Sequence, residues 1–216
     1  MSRFFAGILD LIFPPRCVFC GAILSKGGLC DQCQPLLPWL TEGTAEQKLE
    51  FCSLCVSPLR YEGAVRKSIH RYKFRGMRGY AEIYGGLVAD CIRDHLAGRY
   101  DLISWVPLSK KHLRSRGYDQ AFLLANAAAR SLGTAPQATL RKARNTAAQS
   151  GLTEDSARRA NVMGAYEVPN PALIAGKRVL LIDDVVTTGS TLTECARVLR
   201  TAGAADVICA TLSRAR

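Results

Sequence analysis

Three stretches of the chain are apolar without alternation, and that pattern predicts strands buried on both faces. They run from Asp101 to Val106, from Arg178 to Ile182 and from Asp206 to Leu212. Helical spacing of apolar residues predicts helices over 79–97, 119–132 and 191–202, the second with an Ala/Leu-rich face. Strands and helices in this order predict an α/β fold, with a parallel sheet flanked by helices. Residues 138–160 are different: polar, basic and rich in Ala, Thr and Gln, with strand-like alternation only around Ala138 to Leu140. A segment of that length is either a hood that closes over a ligand or a long connection. Phe4 to Phe13 is apolar apart from Asp10 and too short to span a bilayer. It is read as a short helix packed on the fold; a membrane-surface anchor would need a basic polar face that it lacks. With no spanning stretch and no signal-peptide cleavage pattern, the expectation is a cytoplasmic protein.

The strand ending at Ile182 changes character abruptly. Asp183 and Asp184 follow it, and after Val185-Val186 come Thr187, Thr188, Gly189, Ser190 and Thr191, which lead into a helix. Ligands of open α/β sheets bind beyond the carboxyl ends of the strands, so the acids are expected there. The free amides and dipole of a helix start suit an anion, and hydroxyls and a glycine complete a cradle for one phosphate. Two carboxylates would repel that phosphate unless they bind another part of the same ligand. Ribose hydroxyls, or a magnesium ion on them, resolve the conflict. The pattern therefore points to a sugar 5′-phosphate held at both ends. A P-loop is excluded, since no lysine lies between Asp183 and Thr191.

Composition adds charge. In 216 residues the chain carries 29 Lys plus Arg against 18 Asp plus Glu, a formal net charge of +11. Such an excess favours phosphate-rich partners, either nucleic acid or a polyphosphate. A basic belt includes Lys73, Arg75, Lys110, Lys111, Arg114 and Arg116, with Tyr72, Phe74, Tyr80 and Tyr118 interleaved. Charges with exposed rings would suit single-stranded DNA; rings turned into the core would leave only a solvated basic face.

The nine cysteines are uneven, and six form the pairs Cys17/Cys20, Cys30/Cys33 and Cys52/Cys55. An odd total without a secretion signal argues against disulfides, whereas paired Cys-x-x-Cys turns suit tetrahedral zinc. Cys17, Cys20, Cys30 and Cys33 are the expected ligands of a structural zinc. Cys52 and Cys55 are left either as a remnant or as part of a different ligand set. Cys91, Cys195 and Cys209 read as core thiols.

The strand, the two acids and the Thr-Thr-Gly-Ser-Thr loop resemble the signature of type I phosphoribosyltransferases, which bind phosphoribosyl pyrophosphate (PRPP). With the cysteine pairs ahead of it, the chain resembles the ComF family of competence-associated proteins over nearly its whole length. Leu9 to Cys17, Tyr61 to Gly76, Val106-Pro107-Leu108, Arg116 to Gln120, and Arg144 to Gln149 with Arg159 to Asn161 look like that family's blocks, although Asp119 stands where Asn is usual. The resemblance implies a zinc segment over 1–56 and a phosphoribosyltransferase-like domain over 57–216. It implies that Asp183 and Asp184 meet the ribose hydroxyls and are the catalytic acids. Thr187, Thr188, Gly189, Ser190 and Thr191 would hold the 5′-phosphate, and Pro107, Leu108, Ser109, Lys110 and Lys111 the pyrophosphate. Magnesium would accompany PRPP. Lys73, Arg75, Arg114, Arg116 and Arg144 are the nucleic-acid candidates, with the DNA-uptake machinery as a partner. Two functions follow: transfer of phosphoribose to an acceptor, or binding of single-stranded DNA with PRPP as a structural or regulatory ligand. A PRPP-sensing regulator would need a DNA-reading helix-turn-helix, and none is evident.

Overall fold

A computed structural model of the chain describes residues 14–144 and 160–215. The expected helix at Phe4 to Phe13 and most of the expected hood, including 145–159, lie outside the described residues. The main sheet contains β1 (Glu46–Leu49), β2 (Cys52–Val56), β3 (Leu59–Arg60), β4 (Leu102–Trp105), β7 (Arg178–Val186) and β8 (Asp206–Arg214). Its order is β1-β2-β8-β7-β4, with β3 also beside β8. All pairings are parallel except β1 with β2, so the sheet is mixed with one antiparallel edge. A small antiparallel pair joins β5 (Arg141–Lys142) to β6 (Tyr166–Glu167).

Alternation along β7 explains its sequence. Leu180 and Ile182 enter one core with Val65, Ile69, Tyr84, Leu124 and Ile208. Val179 and Leu181 enter the other with Leu192, Cys195, Leu199 and Val207. Side chains of a strand point alternately to its two faces, so a strand covered on both sides has no polar position to spare. The first face carries α1 (Gly63–Phe74), α2 (Tyr80–Leu96) and α4 (Gln120–Ser131); the second carries α5 (Ser190–Thr201). Helices α2 and α4 approach closely at Gly85, where an added Cβ would lie 2.4 Å from Ala127 Cβ. Apolar residues here bring about 25 cal/mol per Å² of area removed from water.

Three of the expected helices appear within a residue or two of their predicted bounds, as do all three expected strands at their starts. Two helices were not expected: α1, and α3 (Lys110–Arg116), which begins where a loop was read. The domain boundary expected after residue 56 falls inside the sheet, because β2 is hydrogen-bonded to β8 at Cys55 opposite Cys209. The third cysteine pair is therefore strand, not a metal-binding turn: Cys52 and Cys55 are buried, and Cys52 Sγ lies 3.3 Å from Cys209 Sγ. Among the described residues no helix is long and apolar enough to cross a membrane.

Candidate functional site

The two acids lie within β7, not beyond its end, because the strand continues through them to Val186. Asp183 pairs with Thr211 and Val186 with Arg214 on β8, which extends the ladder past the expected stop. As neighbours on a strand, the acids turn to opposite faces. Asp184 is buried and meets Lys73 of α1, with Nζ 2.7 Å from Oδ1. Burial works against the Lys73 ammonium, but the Asp184 carboxylate more than offsets it and raises the lysine's pKa. The Oδ2 of Asp184 is buried without a hydrogen-bond partner. Asp183 accepts a hydrogen bond from the Asp184 amide at 2.8 Å. Burial, then the neighbouring Asp184, push Asp183 up to about 8, against the pull of Lys73.

Asp183 and the loop Thr187 to Thr191 line one hollow, which Asp184 does not reach. Gly189 adopts φ +79°, a conformation that side chains disfavour, and an added Cβ would meet Leu49 Cδ2 at 2.6 Å. Thr188 Oγ1 and Ser190 Oγ are 2.8 Å apart, the Ser190 amide points at Thr188 Oγ1 at 3.4 Å, and the N-cap position of α5 is Gly189, which has no side chain to cap it. The first turn of α5 and its dipole thus lie at the hollow together with hydroxyl groups, as an anion site requires.

The expected pyrophosphate loop is differently committed. The Leu108 amide donates to Asp119 Oδ2 at 3.1 Å, and Ser109 Oγ caps α3 by accepting from the His112 amide at 3.3 Å. Ser109 is buried, while Lys110 and Lys111 are exposed on the first turn of α3. Asp119 also caps α4 by accepting from Phe122 N–H at 3.1 Å. A carboxylate therefore performs the acceptor role open to Asn at this turn.

The cysteine segment forms a compact knuckle. Sγ atoms of Cys17, Cys20, Cys30 and Cys33 all lie within 4.8 Å of one another. Amides also point at sulfur: Ala22 N–H to Cys20 at 3.5 Å and Cys33 N–H to Cys30 at 3.3 Å. Gly21, at φ +83°, makes the tight turn after the first pair. Burial raises the Cys17 thiol, but amides of Cys20, Cys30 and Phe19 bring it down to about 6. Four sulfurs so placed and supplied with N–H donors fit a structural zinc with no open coordination position. The knuckle is tied to α1: Arg71 Nη2 donates to the carbonyls of Val18 (2.9 Å) and Phe19 (2.8 Å), and Ser68 Oγ also donates to Val18 O.

The basic belt divides. Tyr72, Tyr80 and Tyr118 are buried, so three of the four interleaved rings belong to the core. Phe74 is 63% exposed. Lys73 is committed to Asp184, and Arg116 holds Gln120 Oε1 while lying 5.1 Å over the Phe74 ring. Arg144 donates to Met163 O at 2.5 Å. Arg75 and Arg114 are exposed. A groove of about 850 Å³ runs beside Tyr61, Arg66, Lys67, His70, Phe74 and Arg75. Sequence reading missed the Lys73–Asp184 pair and the Leu49 contact, because no local spacing announces partners from distant segments.

Comparison with known proteins agrees with this architecture. The phosphoribosyl transferase domain family matches residues 119–216, and the double zinc ribbon domain family matches residues 8–67. The DNA utilization protein YhgH of Salmonella typhimurium is 33% identical over 215 residues, covering 91% of this chain and 90% of that protein. Competence protein F of Haemophilus influenzae is 29% identical over 232 residues, covering 93% and 97%. A solved glutamine PRPP amidotransferase from B. subtilis superposes with a TM-score of 0.43 at 21% identity, over 62% of this chain and 26% of that one.

Proposed function

The chain belongs to the ComF family, and we propose that it binds PRPP in the hollow of β7 and α5 as a protein of DNA uptake or utilisation. One observation carries this reading: Asp183 and the five residues Thr187 to Thr191 converge on a single hollow at the start of a helix whose N-cap is a glycine. The 5′-phosphate takes the amides and hydroxyls of the loop, and the ribose lies toward Asp183. Asp183 lines the hollow and Asp184 does not, so Asp183 is the acid placed to meet magnesium carried by the ligand. If phosphoribose is transferred, the C1–O bond to pyrophosphate breaks, pyrophosphate leaves with the electron pair, and the acceptor bonds to C1. The acids then act by charge and placement. Isotope-labelled PRPP, incubated with bases, nucleotides and oligonucleotides, tests this: pyrophosphate release that disappears in Asp183→Ala with Asp184→Ala identifies a transferase. PRPP binding without release identifies a ligand-controlled protein.

A second reading has its own observation, the exposed Phe74 beside a basic groove. Single-stranded DNA would lay phosphates along Arg66, Lys67 and Arg75 and stack a base at Phe74. Affinity that falls steeply with salt and drops in Phe74→Ala supports it; salt-independent binding contradicts it.

A further inference from the structure

We propose that Leu49, at the end of β1, positions the 5′-phosphate loop by backing Gly189, so that the amino-terminal hairpin and the sugar-phosphate site respond as one unit. This rests on the PRPP reading above and adds a residue that touches the loop without touching the ligand. Leu49 does not line the hollow of Asp183 and Thr187 to Thr191; it meets Gly189 from outside it.

The contact is close and one-sided. A Cβ added at Gly189 would have Leu49 Cδ2, Cδ1 and Cγ as its three nearest neighbours, at 2.6, 3.6 and 3.7 Å. The leucine therefore fills the space that a side chain at position 189 would need. Gly189 sits at φ +79°, and its carbonyl accepts a hydrogen bond from the Thr193 amide at 2.8 Å, which carries its pose into α5. A phosphate cradle works through main-chain amides, so the pose of this backbone is itself the binding element. Leu49 also packs on the core that holds Leu192, and Leu192 lines the hollow.

The hairpin is shaped to make this contact. Between the pairs Gln47–Cys55 and Leu49–Cys52, β1 advances by two residues and β2 by three, so β2 carries a bulge. A bulge bends its strand and re-aims the side chains beyond it. Here it turns Cys52 into the same core as Cys55 and Cys209, where alternation alone would send it to the other face. Only Glu50 and Phe51 connect the paired residues Leu49 and Cys52, and Phe51 adopts φ +63°, a positive value that no other described non-glycine residue shows. A bulky residue holds that conformation where its surroundings impose it. The Phe51 ring is 45% exposed, so its own packing does not impose it. The two anchors do: Leu49 on the phosphate loop and Cys52 in the core.

Hydrogen exchange and calorimetry on the full zinc-loaded chain test this, with ribose 5-phosphate as the probe. Coupling is reciprocal: a hairpin that orders the loop is itself ordered by phosphate in the loop. Ribose 5-phosphate is therefore expected to slow amide exchange at residues 46–56 of the wild type as well as at 187–191. Leu49→Ala is expected to bind ribose 5-phosphate about tenfold more weakly and to lose the ligand's effect on 46–56, with zinc content unchanged. Leu49→Met refills the space and is expected to stay within about twofold of the wild type. Slowed exchange confined to 187–191 in the wild type overturns the role of Leu49, and this result needs no variant to fold. Wild-type affinity in Leu49→Ala, or equal loss in Leu49→Ala and Leu49→Met, also overturns it. A wild-type chain that binds neither ribose 5-phosphate nor PRPP removes the PRPP reading, and the role with it. Binding by the wild type with unchanged exchange at 46–56 removes the role alone and leaves that reading standing.

Discussion

The cysteine knuckle and the acid–hydroxyl site are built in opposite ways. Every ligand of the knuckle lies between Cys17 and Cys33, and its supporting amides come from the same turns. The acid site takes its phosphate loop from one turn but its counter-charge, Lys73, from a helix far earlier in the chain. The knuckle is closed, with four sulfurs facing inward. The acid site is open on one side, where Asp183 and the Thr187–Thr191 loop line a hollow, while a carboxylate oxygen of Asp184 is buried without a hydrogen-bond partner. Closed, local chemistry stabilises a segment; open chemistry assembled from distant elements is left to meet a ligand. Helix α1 joins the two, since Arg71 holds the knuckle and Lys73 holds Asp184.

The largest expected effect breaks the knuckle. Cys17→Ser, or a strong chelator, should release zinc and unfold the amino-terminal segment, since structural zinc contributes roughly 10 kcal/mol or more to small sites. Elemental analysis and thermal melting check it. Cys52→Ser should keep full zinc content, because Cys52 faces Cys209 in the core; zinc loss there would show that the ligand set reaches the third pair.

Next is the buried pair in the acid site. Lys73→Met leaves Asp184 without its cation and should cost about 3–5 kcal/mol in denaturant unfolding, while Lys73→Met with Asp184→Leu should recover much of that. A single variant as stable as the wild type would mean that the pair is not buried as described.

A smaller effect tests the link between the regions. Arg71→Ala removes a charged donor from the Val18 and Phe19 carbonyls and should cost about 1.5–3 kcal/mol. It should also weaken zinc retention against a competing chelator. Unchanged retention would show the knuckle to be independent of α1.

The gentlest probe is pH. Asp183 is pushed from the ordinary 3.8 up to about 8 in the folded chain. The folded state therefore holds a proton that the unfolded state has lost, and this group's stabilising effect declines as pH rises from about 4 to 8. The slope is at most about 1.4 kcal/mol per pH unit. Asp183→Asn should flatten that decline in urea midpoints measured across the range; an unchanged slope would place the titrating group elsewhere.

The same contrast explains what the sequence revealed. The knuckle ligands and the phosphate loop were legible because their chemistry repeats at short spacing. Strands β4, β7 and β8 were legible because burial on both faces strips them of polar residues. Lys73 was not: on a helix crowded with cations, nothing marks the one that turns inward to an acid on β7. Cys52 and Cys55 misled because Cys-x-x-Cys spacing also fits a strand whose cysteines pack into a core. The extent of β7 was hidden because carboxylates look like a strand's end, while pairing with β8 carries the ladder three residues beyond Asp183.

The most direct test is a calorimetric titration of PRPP with magnesium into the zinc-loaded chain, set against the variant Asp183→Asn with Thr188→Val. The wild type should bind one PRPP per chain, and the variant should show no measurable heat while melting as a folded protein. No heat from the wild type, or equal binding by the variant, would contradict a sugar-phosphate site between Asp183 and the Thr187–Thr191 loop.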